Sequence, residues 1–342
     1  MNILFLTRLY YPHIGGVEKH LEKISQLLKK KHQITIITEQ HDRKLKQSES
    51  TDGITIYRIP VLSTTEKQKK LVIWKWLWKN RHLIIKADII HIHDVIFWFF
   101  PFRILFPLKQ VFITFHGYEA NRPVTLSAII QRKLGEVMSL GNICVGDFLK
   151  KWYKANPTAV TYGAADLQPQ PLPKNNSAIF IGRLDHDTGI GTLLKGVSLQ
   201  ESPLSLHIYG TGPLESESKK YAHEHHLAAT FKGPSANASK EIAQHRYAFV
   251  SGYLSILEAM QTKRLVFAYY HNELKKDYLT CHPQAKNMII FHTPEELIKA
   301  LEQIKTHPLV EKRYIDNGYA WAKQQTWSKL VKEYLDLWRG KN

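Results

Sequence analysis

In YAFVSGYLSILEAM (247–260) a short apolar run breaks at Ser251-Gly252 and restarts with helical spacing around one carboxylate, Glu258. A strand that turns into a helix presents unpaired N–H groups and the positive end of a helix dipole, a natural seat for a phosphate. Glu258, about two turns in, is then placed to reach a neighbouring hydroxyl. The same pattern also belongs to an ordinary strand–turn–helix with a surface Glu. A second such place is RLYYPHIGG (8–16), where Gly15 and Gly16 let backbone approach a ligand closely ahead of a helix, although many strand–helix turns carry glycine for shape alone. His116 follows a strand directly in TFHGYE, at the carboxyl end where ligands of α/β sheets gather. His91, His93 and Asp94 suggest a metal cluster, because alternate strand positions share a face. No third or fourth ligand is evident, which favours a structural or cleft-lining role.

Such groups need strands that end in one place. NILFLT (2–7) is an apolar strand, and Val17, Leu21, Ile24, Leu27 and Leu28 keep helical spacing up to Lys29-Lys30-Lys31. Further short β-branched runs follow at 33–38, 54–59, 88–93, 111–115 and 142–145, alternating with helical stretches. That alternation predicts a doubly wound, mostly parallel sheet. The polar, proline-rich LQPQPLPKNN (167–176) breaks the pattern and reads as an interdomain linker. A second α/β unit opens with AIFIGRL (178–184) and continues with strands at 204–209, 229–231, 247–250, 264–269 and 288–290. YGTGPL (209–214) is another strand ending in a glycine turn, and TWSKLVKEYLDLW (326–338) is an amphipathic helix expected to cross back to the first domain. The expected domains are 1–167 and 168–322, with 323–342 as the returning helix.

The chain has 342 residues, 44% of them hydrophobic and 23% charged, enough for two cores. No apolar run reaches the roughly 18–20 residues of a spanning helix, and the amino terminus enters a strand without a signal-peptide layout, so a cytoplasmic protein is expected. Cys144 and Cys281 lack metal-ligand spacing and read as free, buried thiols of a reducing compartment. A net charge of +17 calls for an anionic partner: nucleic acid, acidic lipid or a phosphorylated small molecule. The absence of zinc-finger spacing, RNP-like strands or a long basic tail argues against nucleic acid. Segment 66–86 holds seven Lys/Arg against one acid. On a single helix, Leu71, Trp74, Trp78 and Ile85 share one face and Lys75 and Lys79 a neighbouring one, a design that an anionic membrane surface attracts. Packed tryptophans beside a solvated lysine face are the alternative. The apolar 95–109, broken by Pro101 and Pro107, is a second candidate membrane contact.

Taken in order, PHIGGVEKHL, DIIHIH, TFHGYE, IFIGRL, YGTGP, SILEAM and the closing TW…YLDLW helix resemble the retaining glycosyltransferase family 4 over nearly the whole chain. The resemblance implies a GT-B fold, with two doubly wound Rossmann-like domains facing a central cleft. A nucleotide-sugar donor would be held mainly by the second domain and a lipid-linked or glycan acceptor mainly by the first. By family likeness Gly15 and Gly16 would approach the donor phosphates and Arg183 would pair with the diphosphate. Gly210 would border the donor, Leu254 and Ser255 would offer backbone N–H groups, Glu258 would take the ribose hydroxyls, and His116 would steady the transferred sugar. The implied enzyme is a hexosyl-type transferase of cell envelope polysaccharide biosynthesis, peripheral at the cytoplasmic membrane face. It would work without cofactor or metal, which makes the DxD-like Asp185-His186-Asp187 a decoy.

Three departures from the family pattern stand out. Thr188 occupies the place of an expected Lys five residues after Arg183, Val250 the place of the first of two glutamates, and Lys263 and Leu265 the places of a Gly and a Pro. A charge–phosphate contact is worth about 1 kcal/mol in water and about 4 kcal/mol at an effective dielectric near 20, so losing a cation matters in a closed site. The departures motivate an alternative: a GT-B protein that has lost catalysis and serves as a membrane-associated binding or scaffold partner.

Overall fold

A computed structural model describes residues 1–118, 123–200, 204–235 and 237–340. Glu119, the last residue of TFHGYE, falls outside them, as do the side chains of residues 66 and 67. The chain forms two compact units, Met1–Thr161 with the segment from Trp327 onward, and Tyr162–Thr326.

The first unit is built on eight strands, β1 (Asn2–Thr7), β2 (Gln33–Glu39), β3 (Ser48–Thr51), β4 (Ile54–Ile59), β5 (Ile89–His93), β6 (Gln110–Phe115), β7 (Gly141–Val145) and β8 (Ala159–Thr161). Their order is β3-β4-β2-β1-β5-β6-β7-β8, parallel except for the β3–β4 pair. The central strands β1 and β5 are buried almost throughout, as continuous apolar runs in parallel sheets must be when helices cover both faces. The antiparallel edge strand β3, SEST, carries no apolar period, which is why the sequence does not announce it.

The second unit contains β9 (Ser177–Ile181), β10 (Ser205–Tyr209), β11 (Ala229–Gly233), β12 (Tyr247–Phe249), β13 (Leu265–Tyr269) and β14 (Ile289–Phe291), in the order β11-β10-β9-β12-β13-β14. All of its pairings are parallel. Its core is the apolar layer from Ala178, Phe180, Leu193, Leu206, Ile208, Phe249, Phe267 and Leu297. In each unit the sheet order reverses beside its first strand, and the loops at the carboxyl ends of the strands gather there, where ligands of doubly wound sheets bind.

Three sequence expectations change. The proline-rich 167–176 is laid onto the second unit: Gln261 accepts from the Leu167 amide at 2.8 Å, and the buried Arg264 donates to the carbonyls of Gln170 (3.1 Å) and Pro171 (2.8 Å). A buried guanidinium must find acceptors, and these loop carbonyls supply them. Segment 66–86 is two helices, Glu66–Lys79 and Arg81–Lys86, broken at Asn80. Its expected common face is divided, since Trp74 turns inward to donate to the Phe97 carbonyl (2.9 Å) and Ile73, Leu77 and Ile84 are buried, while Leu71, Trp78 and Ile85 stay exposed. Cys281 is half-buried rather than buried; both thiols are free. At the two departures after the helix Tyr253–Gln261, Lys263 takes a left-handed backbone (φ 61°), the conformation a glycine adopts without strain, and Leu265 is a buried strand residue.

The helix Trp327–Trp338 closes the first unit through polar contacts as well as apolar ones. Trp338 Nε1 donates to His91 Nδ1 at 3.0 Å, which fixes the proton of His91 on Nε2, where it faces Thr114 Oγ1 at 2.8 Å. Tyr334 OH lies 2.9 Å from both Thr114 Oγ1 and His20 Nε2. All five side chains are buried. Removing the Tyr334 hydroxyl leaves buried groups unpaired, so Tyr334→Phe is expected to cost the first unit about 1–3 kcal/mol in denaturant unfolding; a change under about 0.5 kcal/mol would show the chain of bonds to be energetically idle.

Candidate functional site

In the second unit the turn after β9 is fastened to the turn after β10 by backbone bonds. Gly182 N donates to Tyr209 O (3.1 Å), Leu184 N to Thr211 O (3.0 Å) and Leu214 N to Leu184 O (2.9 Å). A Cβ on Gly210, itself at φ 141°, would come within 1.8 Å of Gly182 O, and one on Gly212 within 2.4 Å of Leu184 O. The glycines of YGTGP thus let two turns lie backbone to backbone, and the missing side chain of Gly210 makes room for Gly182.

What the locked turn presents is Arg183. Its side chain is 61% exposed, yet its guanidinium lies 2.6 Å from Asp187 Oδ2 and 3.7 Å from Asp185 Oδ2. The DxD-like triplet is therefore the counter-ion of Arg183. Asp187 is itself buried, with Oδ1 lacking a partner among the described residues. Thr188, in place of the expected Lys, donates its hydroxyl to the carbonyls of Arg183 (2.6 Å) and Asp185 (2.8 Å), tying the same turn shut.

The opening stretch folds as β12, the turn at Ser251-Gly252 and the helix Tyr253–Gln261. Ser251 Oγ accepts from Tyr269 N (2.9 Å), the Tyr253 amide donates to Tyr278 OH (2.8 Å), and the first helical bond is Ile256 N to Gly252 O. The Leu254 and Ser255 amides have no acceptor among the described residues and, with the helix dipole behind them, are free to bond an anion. Glu258 is buried on this helix at 5% exposure, which removes the surface-Glu alternative. Val250 is buried and donates to Phe267 O, so no carboxylate stands at that position.

One cation here was missed in the sequence. Lys275, on the helix Glu273–Thr280, is 5% exposed; its ammonium donates to Ser251 O and lies 3.9 Å from the Tyr278 ring centre. Burial pulls it down to about 7, with Asp187 opposing and Arg183 reinforcing the shift. The available signal was a lysine at apolar spacing with Tyr278 and Leu279 in ELKKDYLT.

In the first unit His116 joins a nest of imidazoles. His93 Nδ1 lies 2.8 Å from His116 Nε2, and His20 meets the His116 ring edge-on at 4.8 Å between centres. The His116 amide donates to Asp94 Oδ1 (3.0 Å), and Asp94 sits at φ 61° to do it. His91 and His93 belong to this packing, and no group able to hold a metal ion occurs among the described residues. Burial holds His116 down to about 3 and the other three well below 6.5. His116 is thus a neutral imidazole at working pH, suited to hydrogen bonding.

The loop that carries Gly15 and Gly16 is clamped by Arg58, fully buried, which donates to Tyr11 O (2.9 Å), Lys46 O (3.0 Å) and Glu49 Oε1 (2.7 Å). Space beside Gly15 is filled by Glu18, whose Oε2 a Cβ would meet at 2.2 Å, while Gly16 opens onto nothing within 4 Å. Of the two, Gly16 offers the clear approach.

Residues 14–160 match the model of Glycosyltransferase Family 4. A human relative, which is one subunit of phosphatidylinositol N-acetylglucosaminyltransferase, is 26% identical over 237 residues, 62% of this chain and 48% of its own, so the chain spans about half the length of that relative. Among solved structures, sucrose-phosphate synthase from Thermosynechococcus elongatus superposes with a TM-score of 0.79 at 16% identity, covering 99% of this chain and 98% of its own. Anabaena HepE in complex with UDP and glucose does so at 0.73, 14% identity and 98% of both chains. The resemblance seen in the sequence and the GT-B fold it implies are both borne out.

The histidine nest has a pH signature. Its folded values lie below the unfolded value near 6.5, so the stability it contributes is complete above about pH 6.5 and is lost as pH falls below that, by up to about 1.4 kcal/mol per pH unit for each imidazole. Nitrogen-15 shifts of His116 are expected to stay constant from pH 8 to 5 while thermal stability falls; a His116 midpoint near 6.5 would contradict the buried, neutral imidazole.

Proposed function

Taking the chain as a glycosyltransferase enzyme of GT-B fold, we propose that it is a retaining enzyme that moves a sugar from a nucleotide-sugar donor to a lipid-linked or polysaccharide acceptor at the cytoplasmic membrane face, with no bound metal. The observation that carries this is the second unit's anion corner: an exposed Arg183 on a hydrogen-bonded turn, amides at Leu254 and Ser255 without an acceptor among the described residues, and a buried Glu258. A leaving nucleoside diphosphate gathers negative charge in the transition state, and preorganised cations and N–H donors stabilise it where it develops. Glu258 would take the ribose hydroxyls, and neutral His116 would hydrogen-bond the transferred sugar. Front-face attack, with the departing phosphate taking the acceptor's proton, needs no side-chain base.

A lipid-linked acceptor is supported by the human relative, whose name places its activity on phosphatidylinositol. Membrane contact is supported by the exposed Leu71, Trp78 and Ile85 beside exposed Lys75, Lys79 and Arg81. In 95–109, Phe100, Ile104, Leu105 and Leu108 are exposed as well. No helix among the described residues is long and apolar enough to cross a bilayer. The scaffold alternative draws on Thr188 and Val250, both committed to structure.

Offered UDP- and GDP-sugars with membrane extract, the protein is expected to release nucleoside diphosphate, and Arg183→Ala to lower the rate at least 10–100-fold, as loss of a charge-assisted bond of about 1.5–3 kcal/mol requires. No release above the Arg183→Ala background sinks the enzymatic reading. In flotation with vesicles containing anionic lipid, Trp78→Ala combined with Lys75→Glu and Lys79→Glu should abolish binding that the native chain shows at low salt; equal binding would remove 66–86 from the membrane surface.

A further inference from the structure

A diphosphate that draws Arg183 away from Asp187, its 2.6 Å partner, leaves a buried carboxylate without its cation. A buried charge stripped of its partner is strongly unfavourable, so donor binding would work against itself unless another cation stood by. One does. Lys275 is buried in the same corner, fixed on Ser251 O at the turn before the helix Tyr253–Gln261, within electrostatic reach of both Asp187 and Arg183. Asp187 Oδ1 is buried and lacks a partner among the described residues, while its Oδ2 alone is committed to Arg183. The groups around Lys275 include Asp187 and Arg183 from the turn after β9 and Tyr278 on its own helix, whose ring stacks on that of Tyr253.

We propose that Lys275 is a positioning residue for Arg183: it is the reserve cation that takes over Asp187 when Arg183 turns to the donor diphosphate. This rests on the reading of Arg183 as a diphosphate ligand. It gives the chain a second cation although position 188 holds Thr, and it does so from another element and without contact to substrate. Near neutral pH the free protein holds Lys275 partly deprotonated, at about 7, because desolvation outweighs the field of Asp187. Once Arg183 leaves, Asp187 faces Lys275 alone and the amine takes a proton from solvent. The exchange balances: one proton enters, one dianionic or trianionic phosphate group is bound, and Asp187 keeps a cation.

Calorimetry with UDP, GDP, ADP and dTDP, in two buffers of different ionisation heat, tests it. At pH 8 the phosphates have already lost their last proton, so binding of the accepted nucleotide is expected to take up close to one proton, falling toward zero at pH 6. Lys275→Met should bind that nucleotide at least tenfold more weakly with no proton uptake, and adding Asp187→Asn should restore affinity to within about threefold while uptake stays absent. Native binding without proton uptake, native affinity in Lys275→Met, or no rescue by Asp187→Asn would each overturn the reserve-cation role. These results differ from failure of the underlying reading, in which the native protein binds none of the four nucleotides or Arg183→Ala binds as the native protein does. Should Lys275→Met not fold, the proton count on the native protein decides alone.

Discussion

The ion pair between Arg183 and Asp187 sets the terms for everything around it. A guanidinium kept ready for an anion must be held somewhere, and a carboxylate is the holder that also aims it. The arrangement works only if the turn beneath does not yield, which is why two glycines in YGTGP give up their side chains to let backbone meet backbone, and why Thr188 commits its hydroxyl to two carbonyls of the same turn. The cost of the pair is a buried Asp187, and its need for a cation reaches across to Lys275 on a different helix.

The first unit solves a different problem with neutral groups. Its imidazoles are buried together, and burial drains them of charge, so His91 and His20 serve as hydrogen-bonding posts for the final helix while His93 and the strained Asp94 fix His116. A metal would need open ligands converging on a point; these rings are instead bonded to Trp338, Thr114, Tyr334 and one another. The two units thus divide the electrostatic labour, one preorganising charge and the other excluding it.

The sheets were legible because fully buried parallel strands are written as short apolar runs, and each run read as a strand is one here. The edge strand β3 was illegible because an exposed polar strand has no period to read. Arg183, Glu258, Gly16 and His116 were singled out through motif order and position at strand ends. What spacing could not show was who holds them. Asp187, set aside in the sequence as part of a decoy triplet, is the 2.6 Å partner of Arg183, and the grip of Arg58 on the glycine loop spans 47 residues. The split of 66–86 at Asn80 also escaped, since helical spacing alone does not locate a break that side-chain packing imposes.

The central claim is that the corner of Arg183 and the helix Tyr253–Gln261 receives a nucleoside diphosphate. A crystal structure of the protein with its bound nucleoside diphosphate tests this most directly. The account predicts phosphate oxygens on the Arg183 guanidinium and on the Leu254 and Ser255 amides, with Asp187 turned toward Lys275 and the ribose hydroxyls on Glu258. Nucleotide bound elsewhere, with Arg183 still on Asp187, would contradict it.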